Sequence, residues 1–136
     1  MKRAAITGVA SYVPDRVLTN HDLEQMVDTN DEWIVSRTGI RERRRLAPDE
    51  HTSTIAAYAA KRALDDAGVT IDEVDVLICA TATGDHQFPA TATFVQAELG
   101  GRDIPAFDIS AACAGFRRSF ADVRTGDGRS SAHSPG

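Results

Sequence analysis

The chain has 136 residues, 42% of them hydrophobic, and a formal net charge of −5. That length supports one modest domain rather than two, and the acidic balance argues against nucleic acid as the main partner, because such binders carry a basic surplus. No apolar run reaches the roughly 18 residues of a membrane span, the start of the chain does not read as a secretory signal, and Cys79 and Cys113 suggest free thiols of a cytoplasmic protein rather than a disulfide framework.

Along the chain, Ala4 to Ala10 reads as a buried strand, and Thr19 or Asn20 caps a short helix through Asp22 to Val27. A second short helix is expected from Asn30 or Asp31 to Arg37, with Gly39 as its stop. Trp33 and Arg37 stand four apart on it, so they share a face. They form either a slot for a flat aromatic group between indole and guanidinium or a surface cation–π pair supporting the helix. Arg41 to Leu46 is an extended, charged segment in which alternation puts Arg41, Arg43 and Arg45 on one face. With Arg44 they suit either phosphates or an acidic partner, or simply make a solvated edge.

Thr52 or Ser53 is expected to cap the clearest helix, whose Ile55, Ala56, Ala59, Ala63, Leu64 and Ala67 form one stripe before Gly68. Val74 to Ala82 is apolar on both faces, as in a parallel strand covered by helices, and Cys79 inside it reads as core packing. A loop over Asp85 to Pro89 carries Phe88. A helix from Thr91 to Leu99 closes on Gly100-Gly101, and Pro105 to Ile109 is the last strand. The alternation is that of an α/β protein.

After that strand come Ser110-Ala111-Ala112-Cys113-Ala114-Gly115-Phe116, small residues around one cysteine at a strand-to-helix turn. A thiol placed there meets helix-terminal N–H groups that favour thiolate, so Cys113 reads as a nucleophile or, equally, as a structural thiol. From Arg117 onward four arginines, four serines, three glycines and a proline replace the apolar pattern. That stretch is expected not to bury a helix face.

Asp31-Glu32-Trp33-Ile34-Val35-Ser36-Arg37-Thr38-Gly39-Ile40-Arg41-Glu42-Arg43 and Ala111-Ala112-Cys113-Ala114-Gly115-Phe116 together closely resemble β-ketoacyl-acyl carrier protein synthase III, with related starter-unit ketosynthases of polyketide pathways sharing both motifs. The resemblance spans residues 4–116. It implies a thiolase-like, layered αβαβα fold of which residues 1–116 form most of the first half, with 117–136 a divergent, disordered tail.

It also implies roles. Cys113 would accept an acyl group from acyl-CoA for condensation with malonyl-acyl carrier protein, in a family that works as a homodimer, with the CoA thioester a substrate and no cofactor or metal. Thr29, Trp33 and Arg37 would hold the nucleotide of CoA, and Phe88 would reach across the dimer into the partner's acyl pocket. The family completes its site with a histidine and an asparagine from its second half, and none of His21, His51, His86 and His133 fits that motif. The chain is therefore expected to be truncated, aggregation-prone through an exposed strand edge and apolar surface, and unable to finish condensation. The alternatives are an inactive fragment that binds CoA or an intact homologue, and an α/β scaffold whose Cys113 is redox-active or merely structural.

Overall fold

The computed structural model describes residues 5–125. Nine regular elements follow in order: β1 (Arg16–Thr19), α1 (Asn20–Glu24), α2 (Asp31–Thr38), β2 (Glu42–Arg45), α3 (Thr52–Ala67), β3 (Leu77–Ala80), α4 (Thr91–Leu99), β4 (Ala106–Ile109) and α5 (Gly115–Thr125), with 3-10 turns at Ile71–Glu73 and Ala112–Ala114.

The first part is a two-stranded antiparallel ribbon, β1 with β2, that carries α1 and α2 on the connection between its strands. Thr19 caps α1 reciprocally. Its hydroxyl accepts the Asp22 N–H at 3.2 Å, and its backbone N–H donates to the Asp22 carboxylate at 2.8 Å. Asn30 caps α2 by accepting the Trp33 N–H at 2.8 Å, and Gly39 ends it at φ 71°. The sequence pattern missed β1, a four-residue strand with too few residues to show an alternation. It also extended α1 too far: the helix ends at Glu24.

The Asp22 carboxyl is held below the ordinary aspartate range by its hydrogen bonds from the Thr19 hydroxyl and then the Thr19 backbone N–H. A depressed folded-state value contributes stability above the unfolded value and loses it as pH falls through the folded one. The melting midpoint of the protein is accordingly expected to fall more on acidification below about pH 4 than that of Asp22→Asn. Parallel melting curves for the two proteins across that range would contradict this.

The second part is built on β3 and β4, which run parallel in the register Leu77↔Ala106 to Ala80↔Ile109. Helices α3 and α4 pack on each other, and α4 and α5 on the strands. The deepest apolar side chains here are Ala57 on α3, Ala92 and Val95 on α4, and Ile104 at the entry to β4. In α3 the most buried positions are Ser53 and Ala57, while the expected stripe from Ile55 to Ala67 is only half-buried.

Four expectations are corrected. The strand expected at Ala4 to Ala10 is not regular over its described residues 5–10: Ile6 and Val9 are exposed, and the Val9 N–H donates to the Asp66 carboxylate at 2.9 Å instead of to a strand edge. Within it Gly8 lies so close to α3 that a Cβ there would stand 2.5 Å from the Ala63 carbonyl oxygen. The long strand over Val74 to Ala82 shrinks to Leu77–Ala80. Its entry is held by Arg102 instead, whose guanidinium donates to the carbonyls of Asp72 and Val74 and to the Asp75 carboxylate.

Neither Thr52 nor Ser53 is the N-cap of α3; His51 is, without a side-chain bond. The Asp85 carboxylate accepts the Ser53 N–H at 3.2 Å, and the Thr52 hydroxyl donates to the Thr83 carbonyl at 2.9 Å. Finally, α5 runs from Gly115 to Thr125, so the boundary expected after Phe116 falls inside a helix. Phe116, Ser119 and Phe120 border an apolar recess with Val76, Ile78 and Ala80. The remainder of the expected tail, and His133, lie outside the described residues.

Candidate functional site

Cys113 sits in the 3-10 turn between β4 and α5 and is exposed. The turn is tight. Ala112 has φ 42°, a left-handed conformation that costs a non-glycine residue about 1 kcal/mol, and the Ala114 N–H closes on the Ala111 carbonyl at 2.9 Å. Gly115, the first residue of α5, is buried against Ala80 of β3, where a Cβ would approach the Ala80 Cβ to 3.1 Å. A small residue there lets α5 start directly over the sheet. The thiol thus stands at the C-terminal end of a parallel strand pair, just before a helix, in a position open to a ligand.

Cys79 behaves differently. It lies half-buried in β3, and burial, then the Asp108 and Asp85 carboxylates, push its thiol above the ordinary cysteine value. Of the two thiols, only Cys113 combines exposure with a helix start.

Trp33 and Arg37 do share a face of α2, with the Arg37 guanidinium 5.6 Å from the centre of the indole ring. The indole is 55% exposed. A cation–π contact of this kind is worth about 0.5–1 kcal/mol, little enough for a flat ring to displace the guanidinium and lie against the indole. Thr29 is half-buried in the loop just before α2.

Two residues that sequence reasoning treated lightly or not at all hold α2 in place. Asn20 is 1% exposed, and its amide donates to the Asp31 carboxylate at 2.7 Å and the Ile40 carbonyl at 2.8 Å, while its oxygen accepts from Arg43 at 2.8 Å. Glu24 accepts the Asp31 N–H at 2.8 Å. Arg43 therefore supports α2, and Arg44 donates to the Pro14 carbonyl. Of the other two arginines expected on that charged segment, Arg41 accepts the Asn20 N–H through its backbone carbonyl at 3.2 Å, and Arg45 pairs with Arg16 in the β1–β2 ladder.

Phe88 is 89% exposed at the tip of the loop between β3 and α4. The base of that loop is anchored: the Asp85 N–H donates to the Thr91 hydroxyl at 3.1 Å, and Asp108 of β4 accepts the Thr91 and Ala92 N–H groups at 2.7 and 2.8 Å. Asp108 was not singled out from sequence, although a carboxylate inside an apolar strand was the available signal. Thr29, Trp33 and Arg37 thus belong to the ribbon part, and Phe88 and Cys113 to the part built on β3 and β4. His21 is paired with Glu24, His51 precedes α3, and His86 meets Phe94 in a tilted contact with ring centres 5.5 Å apart. Among the described residues no group of three or more histidine, cysteine, aspartate or glutamate side chains is gathered as a metal site, and no helix is long and apolar enough to cross a membrane.

No family model matches the chain. Individual proteins do. It is 57% identical over 116 residues to the β-ketoacyl-[acyl-carrier-protein] synthase III of Symbiobacterium thermophilum, a match covering 85% of this chain and 35% of that protein. For the Geobacillus kaustophilus protein of the same name the figures are 56% over 113 residues, covering 83% and 36%.

Among solved structures, 3-oxoacyl-[acyl-carrier-protein] synthase III from Aquifex aeolicus superimposes with a TM-score of 0.83 at 48% identity, covering 88% of this chain and 39% of that one. The priming β-ketosynthase of the R1128 polyketide pathway gives 0.81 at 38% identity, covering 86% and 35%. The β-ketoacyl-[acyl-carrier-protein] synthase III of Xanthomonas campestris is 51% identical over 128 residues, covering 91% of this chain and 39% of that protein. The chain spans about a third of the length of the curated relatives it matches. By sequence and by its thiolase-like fold, the chain is similar to the N-terminal part of β-ketoacyl-acyl carrier protein synthase III proteins.

Proposed function

We propose that this chain carries the acyl-accepting half of a β-ketoacyl-acyl carrier protein synthase III reaction, which starts fatty acid or polyketide synthesis. The single observation that carries the reading is the placement of Cys113: exposed, in a tight turn at the end of β4 and at the start of α5. The Cys113 thiolate attacks the thioester carbonyl of an acyl-CoA, the carbonyl carbon–sulfur bond to CoA breaks, and CoA leaves as a thiolate that takes up a proton from solvent. The acyl group stays on Cys113 until malonyl-acyl carrier protein loses CO2 and the carbanion so formed attacks the acyl carbon, breaking its bond to the Cys113 sulfur, which leaves as thiolate. Covalent capture splits one difficult transfer into two easier ones.

In this reading the adenine of CoA stacks on Trp33 with Arg37 over its other face or on its phosphates, and Thr29 lies beside the nucleotide. The exposure of the indole and the weak hold of the guanidinium on it favour that role. Phe88, standing free on an anchored loop, contributes to the acyl pocket of a second copy in a homodimer. CoA serves as substrate, and the chemistry assigned to this chain requires no cofactor or metal.

The test is intact-mass spectrometry after incubation with acetyl-CoA, followed by peptide mapping. An acetyl group on the peptide containing Cys113 is the expected result. A folded protein that takes up no acyl group, or takes it up only at Cys79 or on lysines, overturns the reading.

A further inference from the structure

The loop that carries Phe88 and the turn that carries Cys113 are joined by one carboxylate. Helix α4 starts at Thr91 after Ala90, which has no side chain able to cap it. Its first two amides, Thr91 and Ala92, donate instead to the two oxygens of Asp108, at 2.7 and 2.8 Å, from the middle of β4. Thr91 is fully buried, and its hydroxyl accepts the Asp85 N–H. The Asp85 carboxylate in turn accepts the Ser53 N–H at the start of α3. Gly84 closes the loop over this knot, since a Cβ on it would stand 2.7 Å from the Thr91 hydroxyl oxygen.

We infer that Asp108 is a positioning residue: by tying β4 to the N-terminus of α4, and through Thr91 and Asp85 to the Phe88 loop and α3, it holds the Cys113 turn in register with α4 and the base of that loop. The bearing of that hold on acyl transfer rests on Cys113 being the acyl-accepting thiol. Helix capping alone does not need this arrangement, because a serine or aspartate at position 90 would cap α4 locally. Placing the carboxylate on the nucleophile strand makes the position of Ser110 to Cys113 depend on the position of α4. Four residues separate Asp108 from Cys113, and the last of them, Ala112, is held at φ 42°, a conformation that persists only where its surroundings impose it.

The experiment measures the rate of Cys113 alkylation by iodoacetamide as a function of pH, with the melting midpoint, in the wild type, Asp108→Asn and the double variant Asp108→Asn with Ala90→Asp. Asp108→Asn is expected to slow Cys113 alkylation about five-fold and to lower the midpoint. The double variant, which returns a carboxylate to α4 but not to β4, is expected to regain the midpoint while the alkylation rate stays low. An unchanged rate in Asp108→Asn, or a rate that recovers together with the midpoint in the double variant, reduces Asp108 to a helix cap and overturns the inference.

If Asp108→Asn fails to fold, Ala90→Asp alone decides. Its new carboxylate at the N-cap competes with Asp108 for the Ala92 amide, so slower alkylation at an unchanged midpoint is expected, and an unchanged rate overturns the inference. Iodoacetamide needs no CoA site. A chain that takes up no acyl group from acetyl-CoA yet shows this pattern would overturn the functional proposal and leave the positioning role of Asp108 standing.

Discussion

Replacement of Cys113 by serine is expected to reduce acyl uptake from acetyl-CoA by at least about 100-fold, with no transfer of the label to Cys79. Serine keeps the size and the turn but replaces the thiol by a hydroxyl, a far weaker nucleophile that needs a base within hydrogen-bond reach. The described histidines have other positions: His21 is paired with Glu24, His51 leads into α3, and His86 meets Phe94. Cys79 cannot take over, because burial and the Asp108 and Asp85 carboxylates keep its thiol protonated to higher pH than an ordinary cysteine. Intact-mass spectrometry of both proteins under the same conditions checks this. A serine variant that is acylated as fast as the wild type would place the reaction elsewhere on the chain.

The second large effect concerns stability and sits far from the thiol in sequence. Asn20→Ala is expected to cost about 3 kcal/mol and to lower the melting midpoint by roughly 10 °C. The side chain is almost wholly buried and joins three groups at once: the Asp31 carboxylate, the Ile40 carbonyl and the Arg43 guanidinium. Removing it breaks these three part-buried bonds at once and leaves the half-buried Arg43 guanidinium without its partner, and an unsatisfied buried polar group costs about 1–3 kcal/mol, more when it is charged. Since Asp31 opens α2 and Ile40 follows its end, the same change is expected to loosen the helix that presents Trp33 and Arg37. Thermal melting followed by far-ultraviolet circular dichroism measures the effect. A loss below about 1 kcal/mol would mean that water enters and replaces the amide.

The parts of this fold that were legible in the sequence are those whose signals are local. Helices α2, α3 and α4 were expected nearly where they occur, because their stops are glycines in the left-handed region, Gly39 at φ 71°, Gly68 at φ 68° and Gly100 at φ 70°, and such residues mark a helix end by themselves. Strand β4 and the cysteine turn after it were readable for a similar reason, as an apolar run followed by small residues.

What was misplaced depends on partners distant in the chain. The expected strand at Ala4 to Ala10 has the composition of a strand, but its amide at Val9 finds a carboxylate on α3, and composition cannot reveal which edge a strand will meet. The cap of α3 was sought next to the helix and none was named for α4, whereas Asp85 lies 32 residues from Ser53 and Asp108 lies 16 from Ala92. The Trp33–Arg37 face followed from helical spacing alone, but the buried Asn20 beneath it read only as a candidate cap.

Those distant caps have a consequence for the order in which the chain folds. A short helix nucleates poorly by itself, and one whose first amides are met by a residue made later must wait for that residue. Helix α3 lacks its cap until Asp85 is in place, and α4 lacks its own until Asp108 has been synthesised and aligned on β4 beside β3. As the chain leaves the ribosome, neither helix gains its full stability before β4 emerges, and loop closures of this span must be completed before their contacts repay them. The expected kinetics are a single cooperative phase in which α3, α4 and the parallel strand pair appear together.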